Sequence, residues 1–189
     1  MPGYTYPGTD CVKNKLGATT HDELEEREGS LVAFRQYEIS LGHGPKGQFD
    51  ANHIKAIHRH LFRDVYTWAG ALRTVRIWKG GSSFCYPENL DREMGRLFAI
   101  LAKQQNLSGL DADAFADKAA RFLAELNAIH PFREGNGRTQ LSFMTSLAEQ
   151  AGHPFALERI DPKAMLEATI TSFGGSEKPL ATLIRGLIP

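Results

Sequence analysis

The sequence has only two cysteines, Cys11 and Cys85, in 189 residues. They are too few and too far apart for a disulfide framework, and they form no metal-binding pattern. No apolar run approaches the roughly 20 residues of a membrane-spanning helix, and the opening residues lack the layout of a signal peptide. Charge of either sign is also missing in excess: 22 basic residues balance 22 acidic ones. The chain therefore carries no electrostatic footprint for a direct nucleic-acid or membrane partner. There is no internal repeat and no low-complexity segment. What remains is an ordinary globular composition in a chain long enough for a core of its own, expected as a single domain over 1–189. A reducing cytoplasm is the expected location, with translocation by a route that reads other signals left open.

Most of the chain has helical period. Residues 1–19 begin MPGYTYPGTD and read as an extended arm whose Tyr4 and Tyr6 lie against the body. A helix is expected over 20–41, capped by Thr20 with Glu23 three residues on. Its inward face would be Leu24, Leu31, Phe34, Tyr37 and Ile39. Asp50 caps a second helix over 51–64, with Ile54, Ile57, His58, Leu61 and Phe62 facing in. His58 and His60 are two positions apart, so on a helix they face different ways and read as packed or surface residues rather than metal ligands.

The period changes over 72–86. Val75, Ile77 and Phe84 flank Lys79, Gly80, Gly81 and Ser82, which predicts a β-hairpin. A lone hairpin is marginal in stability, while its edges offer backbone groups to an extended peptide. Helical spacing then resumes: 87–106 from Pro87, with Leu90, Met94, Leu97, Phe98 and Leu101 inward, and a helix capped by Asp111 or Asp113. The latter's Phe115, Ala119, Phe122, Leu126 and Ile129 make it the expected central buried helix. Another runs from Asn136 towards Gly152, with Leu141, Phe143, Met144 and Leu147, and shorter ones cover 161–173 and 177–187. His153 reads as structural.

The central helix ends at His130 to Arg138, HPFREGNGR. Gly135 and Gly137 have no Cβ, so backbone N–H groups can approach an anion and φ can turn positive without strain. The first N–H groups of the next helix have no intrahelical partner, and its dipole adds partial positive charge. Both favour a phosphate there. Asn136 can cap the helix or donate its amide to a phosphate oxygen, and Arg138 offers a fork of donors. Glu134 would repel phosphate unless a divalent cation stands between them, and Mg²⁺ binds through one or two carboxylates plus phosphate oxygens. His130 titrates near neutral pH and could take a proton from a hydroxyl. Phe132 reads as a core anchor.

This string resembles the signature of the Fic (filamentation induced by cAMP) family, HxFx(D/E)GNGRxxR. His130, Phe132, Glu134, Gly135, Asn136, Gly137 and Arg138 match it, and the resemblance extends from the N-terminal YPGT segment to the last helices. It implies a mainly α fold: a single Fic domain with a β-hairpin flap over 72–86 beside the active-site motif at 130–141. It also implies a protein adenylyltransferase that moves AMP from ATP to a Ser, Thr or Tyr hydroxyl of a target protein and releases pyrophosphate. By resemblance His130 is the base, Glu134 holds Mg²⁺, Gly135, Asn136 and Gly137 cradle phosphates, and Arg138 holds the triphosphate. The flap, from Lys79, Gly80, Gly81 and Ser82 to Ser83 and Phe84, would dock the target. Targets of similar proteins include topoisomerase subunits and small GTPases.

Two departures from the pattern matter. Leu141 stands where the signature has its last arginine, which usually contacts the γ-phosphate. The motif then also admits a catalytically weakened nucleotide-binding regulatory module, or an enzyme that transfers a different phosphate-containing group. The inhibitory pattern (S/T)xxxE(G/N) is absent: Glu28-Gly29 has its ending, but position 24 is leucine. That resembles toxin-type Fic proteins silenced by a small antitoxin carrying the inhibitory helix, and the absence of a further delivery domain points the same way.

Overall fold

A computed structural model describes residues 3–79 and 82–189. Seven α-helices occur among them: α1 (His21–Glu38), α2 (Ala51–Phe62), α3 (Leu90–Lys103), α4 (Ala112–Ile129), α5 (Asn136–Gln150), α6 (Pro162–Phe173) and α7 (Lys178–Leu187). Two short strands, β1 (Trp78–Lys79) and β2 (Ser82–Ser83), pair antiparallel, Trp78 with Ser83 and Lys79 with Ser82. The protein is thus mainly helical. Within the 72–86 segment the ladder is confined to these four residues, and Gly80 and Gly81 lie outside the described residues. The chain divides into two compact units, one of residues 1–46 and 55–71, the other of 47–54 and 72–189.

In the first unit the arm folds back on itself. Thr5 bridges Val12, Lys13 N–H donates to Tyr4 O at 2.7 Å, and Lys15 N–H reaches Val65 O at 2.8 Å. Tyr4 sets its ring edge-on to Trp68. Thr20 caps α1 by accepting from Glu23 N–H, while the Glu23 carboxylate accepts from Thr19 N–H, one residue earlier than a capping box requires. The inward row of α1 is Leu24, Glu28 and Val32, and Phe34 and Tyr37 are 56% and 60% exposed. The expected face fails because a carboxylate occupies the buried row. Glu28 is buried where it accepts the Tyr66 hydroxyl, which makes the true face look polar. His58 and His60 diverge as expected: His58 Nδ1 accepts from Gly70 N–H at 2.8 Å, and His60 Nε2 lies 3.2 Å from Glu38.

The second unit is built around α4, which packs against α3, α5, α6 and α7. Phe98, Phe122 and Phe143 knit α3, α4 and α5 together with ring centroids 5.4–5.7 Å apart, a spacing at which aromatic pairs attract. Asp111 caps α4 by accepting from Ala114 N–H at 2.8 Å. Asp113 instead pairs with Arg185 of α7 at 2.6 Å. Helix α3 follows a 3₁₀ turn at Pro87–Asn89 and stops at Lys103, short of the expected 106. Gln105, Asn106 and Leu107 take positive φ there, which carries the Leu107 side chain into the core. His153 is structural as expected, its Nε2 2.8 Å from Leu110 O and its ring against Phe115.

Tyr66→Phe should lower unfolding free energy by about 1.5–3 kcal/mol, because buried Glu28 loses a donor. Urea titration should show a lower midpoint with an unchanged slope.

Candidate active site

The helix that delivers His130 ends abruptly. His130 is the C-cap of α4 in the left-handed conformation, φ 49° and ψ 65°, and its N–H still donates to Leu126 O. For a residue with a Cβ that backbone costs about 1–2 kcal/mol, so its surroundings must hold it. Its ring Nδ1 lies 3.3 Å from Asn127 O. The tautomer that makes this bond carries its proton on Nδ1 and its lone pair on Nε2. On one face of the ring, Phe84 stacks at 3.9 Å between centroids and 17° between planes.

From Pro131 the chain turns back to start α5. Phe132 is buried as the expected anchor. Asn136, 4% exposed, has a role the residue type alone did not disclose. Its Oδ1 accepts from Phe132 N–H at 2.9 Å, and its Nδ2 donates to Phe132 O at 2.7 Å. The side chain therefore spans the loop as a backbone mimic, so neither the expected cap nor an outward amide describes it. Any part of Asn136 in anion binding falls to its backbone N–H. Gly135 is the N-cap with φ 77°, as expected of a glycine at a sharp turn. Gly137 is ordinary helix and does not use its freedom to take positive φ. A Cβ built on it would meet nothing within 4 Å, so its contribution is open space above the first turn of α5. Thr139, fully buried, closes that turn, its N–H and hydroxyl both donating to Gly135 O.

Glu134 accepts from Arg133 at 2.5 Å and is partly exposed. No group of three or more His, Cys, Asp or Glu that could hold a metal occurs among the described residues. A cation here would have one protein carboxylate, which fits Mg²⁺ drawing its other ligands from phosphate and water and does not fit an all-protein cage. Arg138 is half-exposed in the first turn of α5. Leu141, one turn further, lines a recess of about 60 Å³ with Leu123, Met144, Met165 and Ile184, among others. Its neighbourhood is mostly apolar, which suits leucine, with Gln140 and Thr169 as the polar members of the lining.

Of the expected docking residues, Trp78's neighbour Lys79 pairs with Ser82 through the backbone, and Ser83 is exposed. Phe84 turns inward onto His130 and its N–H donates to Ile77 O at 3.3 Å, so its ring belongs to the site's interior. Cys85, next to Phe84, is a free, partly buried cysteine. Burial, followed by the charge of Glu93, pushes its thiol pKa up, away from the reactive thiolate.

One residue of the site was missed. Arg73, 2% exposed, donates to four carbonyls: His130 O at 2.7 Å, Val75 O at 2.7 Å, Ile129 O at 3.2 Å and Cys85 O. The available signal was register: in the hairpin expected over 72–86, Arg73 alternates in step with Val75 and Ile77, and a cation in an inward row needs a reason.

Residues 48–148 match the Fic/DOC family, a span that includes both the hairpin and the whole loop. The chain belongs to that family. It is 47% identical over 184 residues to the probable protein adenylyltransferase y4lH of Sinorhizobium fredii, covering 97% of this chain and 94% of that protein. It is 39% identical to the protein adenylyltransferase VbhT of Bartonella schoenbuchensis, but spans 38% of that longer protein. Among solved structures, the BepC protein of Bartonella tribocorum, a VirB-translocated effector with bound AMPPNP, superposes with a TM-score of 0.88. It is 29% identical, with 98% of this chain and 96% of that chain covered. No helix of this Fic/DOC protein among the described residues is long and apolar enough to cross a membrane.

Asn136→Ala should cost about 1–3 kcal/mol, since it removes both side-chain hydrogen bonds to the buried Phe132 backbone. Thermal unfolding should report the loss, and hydrogen exchange at Phe132 should accelerate. Unchanged protection at Phe132 would show that the Asn136 side chain does not hold the loop.

Proposed function

We propose that this protein is an adenylyltransferase that moves AMP from ATP to a Ser, Thr or Tyr hydroxyl of a target protein. The observation that carries this reading is one clamped loop that brings a histidine anchored through Nδ1 next to the glycine-lined start of α5. Relatives that bear the name protein adenylyltransferase, and the AMPPNP-bound neighbour, support it. Similarity along 97% of the chain supports reading 1–189 as one Fic domain.

His130 Nε2 takes the proton of the target hydroxyl. The oxygen attacks the α-phosphorus, a new phosphorus–oxygen bond forms, the bond to the β-phosphate oxygen breaks, and pyrophosphate leaves. The backbone N–H groups at the start of α5 and the Arg138 guanidinium hold the phosphates in line and stabilise their charge. Glu134 would hold Mg²⁺, which when bound neutralises phosphate charge. Holding the ion would require Glu134 to give up its contact with Arg133. The hairpin edge at Lys79 and Ser82 is the proposed dock for an extended target segment. By its resemblance to toxin-type Fic proteins we assign the inhibitory glutamate to a partner protein, an antitoxin; the 189 residues carry no (S/T)xxxE(G/N) pattern.

The test is to incubate the chain, and His130→Ala, with Mg²⁺ and α-labelled ATP in a bacterial lysate. Label on a protein band is expected with the unaltered chain and lost with His130→Ala, while ATP binding persists in both. Binding without label would turn the reading to a nucleotide-binding regulatory module, for which leucine at 141, in a mostly apolar recess, is the specific support.

Leu141→Arg should raise AMP transfer. A charge-assisted phosphate contact contributes about 1.5–3 kcal/mol, or about ten- to a hundredfold, measured as initial rate at subsaturating ATP. No change would mean that the recess keeps the guanidinium off the phosphates.

A further inference from the structure

Arg73 is a buried cation that donates to backbone carbonyls, and those carbonyls come from two places that the chemistry needs in register. Ile129 O and His130 O are the last carbonyls of α4, acceptors that a helix end leaves without intrahelical donors. Val75 O and Cys85 O lie on the two legs of the hairpin, one before β1 and one after β2. Two backbone bonds run alongside, Arg73 N–H to Pro131 O at 2.9 Å and Cys85 N–H to Ala128 O at 3.1 Å. Cys85 directly follows Phe84, whose ring covers the His130 imidazole at 3.9 Å.

We propose that Arg73 is a positioning residue for His130: its guanidinium fixes the left-handed backbone that aims the imidazole and pins the hairpin so that Phe84 lies against the ring. The inference rests on the reading of His130 as the base. The geometry requires arginine. A planar fork can serve several carbonyls at fixed angles, whereas the ammonium of lysine is a point donor on a flexible stem. The positive charge also sits at the negative end of the α4 dipole, so either cation answers the charge and only arginine answers the directions. Since His130 holds Nδ1 near Asn127 O only while its backbone keeps this conformation, loss of the fork should release the ring before it disturbs the start of α5.

Arg73→Lys separates fork from charge. Ring nitrogens of ¹⁵N-histidine-labelled protein, with the His130 signals assigned by their loss in His130→Ala, should show one tautomer with the proton on Nδ1 in the unaltered chain. In Arg73→Lys the same signals should move to the average of two tautomers. Single-turnover transfer of α-labelled AMP should fall about a hundredfold, the effect of a small misplacement of a reacting group, with ATP affinity unchanged. His130 signals identical in the two proteins would overturn the proposal. If the unaltered chain transfers no AMP, the adenylyltransferase reading fails, and the ring spectra still decide whether Arg73 positions His130. If Arg73→Lys does not fold, the unaltered protein decides: Arg73 Nε–H should be a slowly exchanging resonance in through-space contact with His130. Rapid exchange there would refute the clamp.

Discussion

Two hydrogen bonds from one side chain, Asn136 to the N–H and the carbonyl of Phe132, set the shape on which the site depends. They tie the first residue of α5 to the middle of the preceding loop. An unpaired buried amide N–H or carbonyl would cost about 1–3 kcal/mol, so the loop has a strong reason to keep this conformation. Phe132 adds the second constraint by burying its ring in the core. With both ends of the turn fixed, Gly135 needs positive φ to start the helix, and Gly137 falls in the first turn with open space above it.

The loop joins two helix ends of opposite polarity. The C-terminus of α4, with its partial negative charge, carries His130. The N-terminus of α5, with its partial positive charge, presents the donors that suit phosphate. In the proposed reaction the imidazole gains positive charge and the phosphates carry negative charge, so each charge falls at the helix end that favours it. The left-handed residue between them is the cost of so short a connection. Arg73 and Phe84 supply the contacts that hold it, from a segment more than forty residues earlier in the chain.

Helix positions and most inward rows were legible because apolar spacing is a local signal. That held for α3, from Leu90 to Leu101, and for α4, from Phe115 to Ile129. It failed on α1, where the buried row contains Glu28, and at the end of α3, where Leu107 is buried through a left-handed turn. In both cases a tertiary contact overrode local pattern. The family motif was legible as a string. The residues that hold it in place were less so, since the side chain of Asn136 serves the loop itself and Phe84 faces His130 rather than solvent. Arg73 was legible only as a cation in step with Val75 and Ile77: its partners are carbonyls from four residues, and no spacing in the sequence encodes them.

Leu141 bears on how complete the site is. The proposed base, the open first turn of α5 and the single carboxylate all lie within the loop from His130 to Gly137, and the clamps that shape it come from Asn136 and Arg73. None of these contacts passes through position 141, which lines a mostly apolar recess with Met144 and Met165. In the proposed reading, leucine there forgoes a contact to the far end of a triphosphate and does not touch the loop that would hold the α-phosphate. A site degraded throughout would be expected to lose its costly features first, above all a left-handed histidine and a buried guanidinium. Both are present and mutually supported, which argues that the loop remains built for chemistry at the α-phosphate.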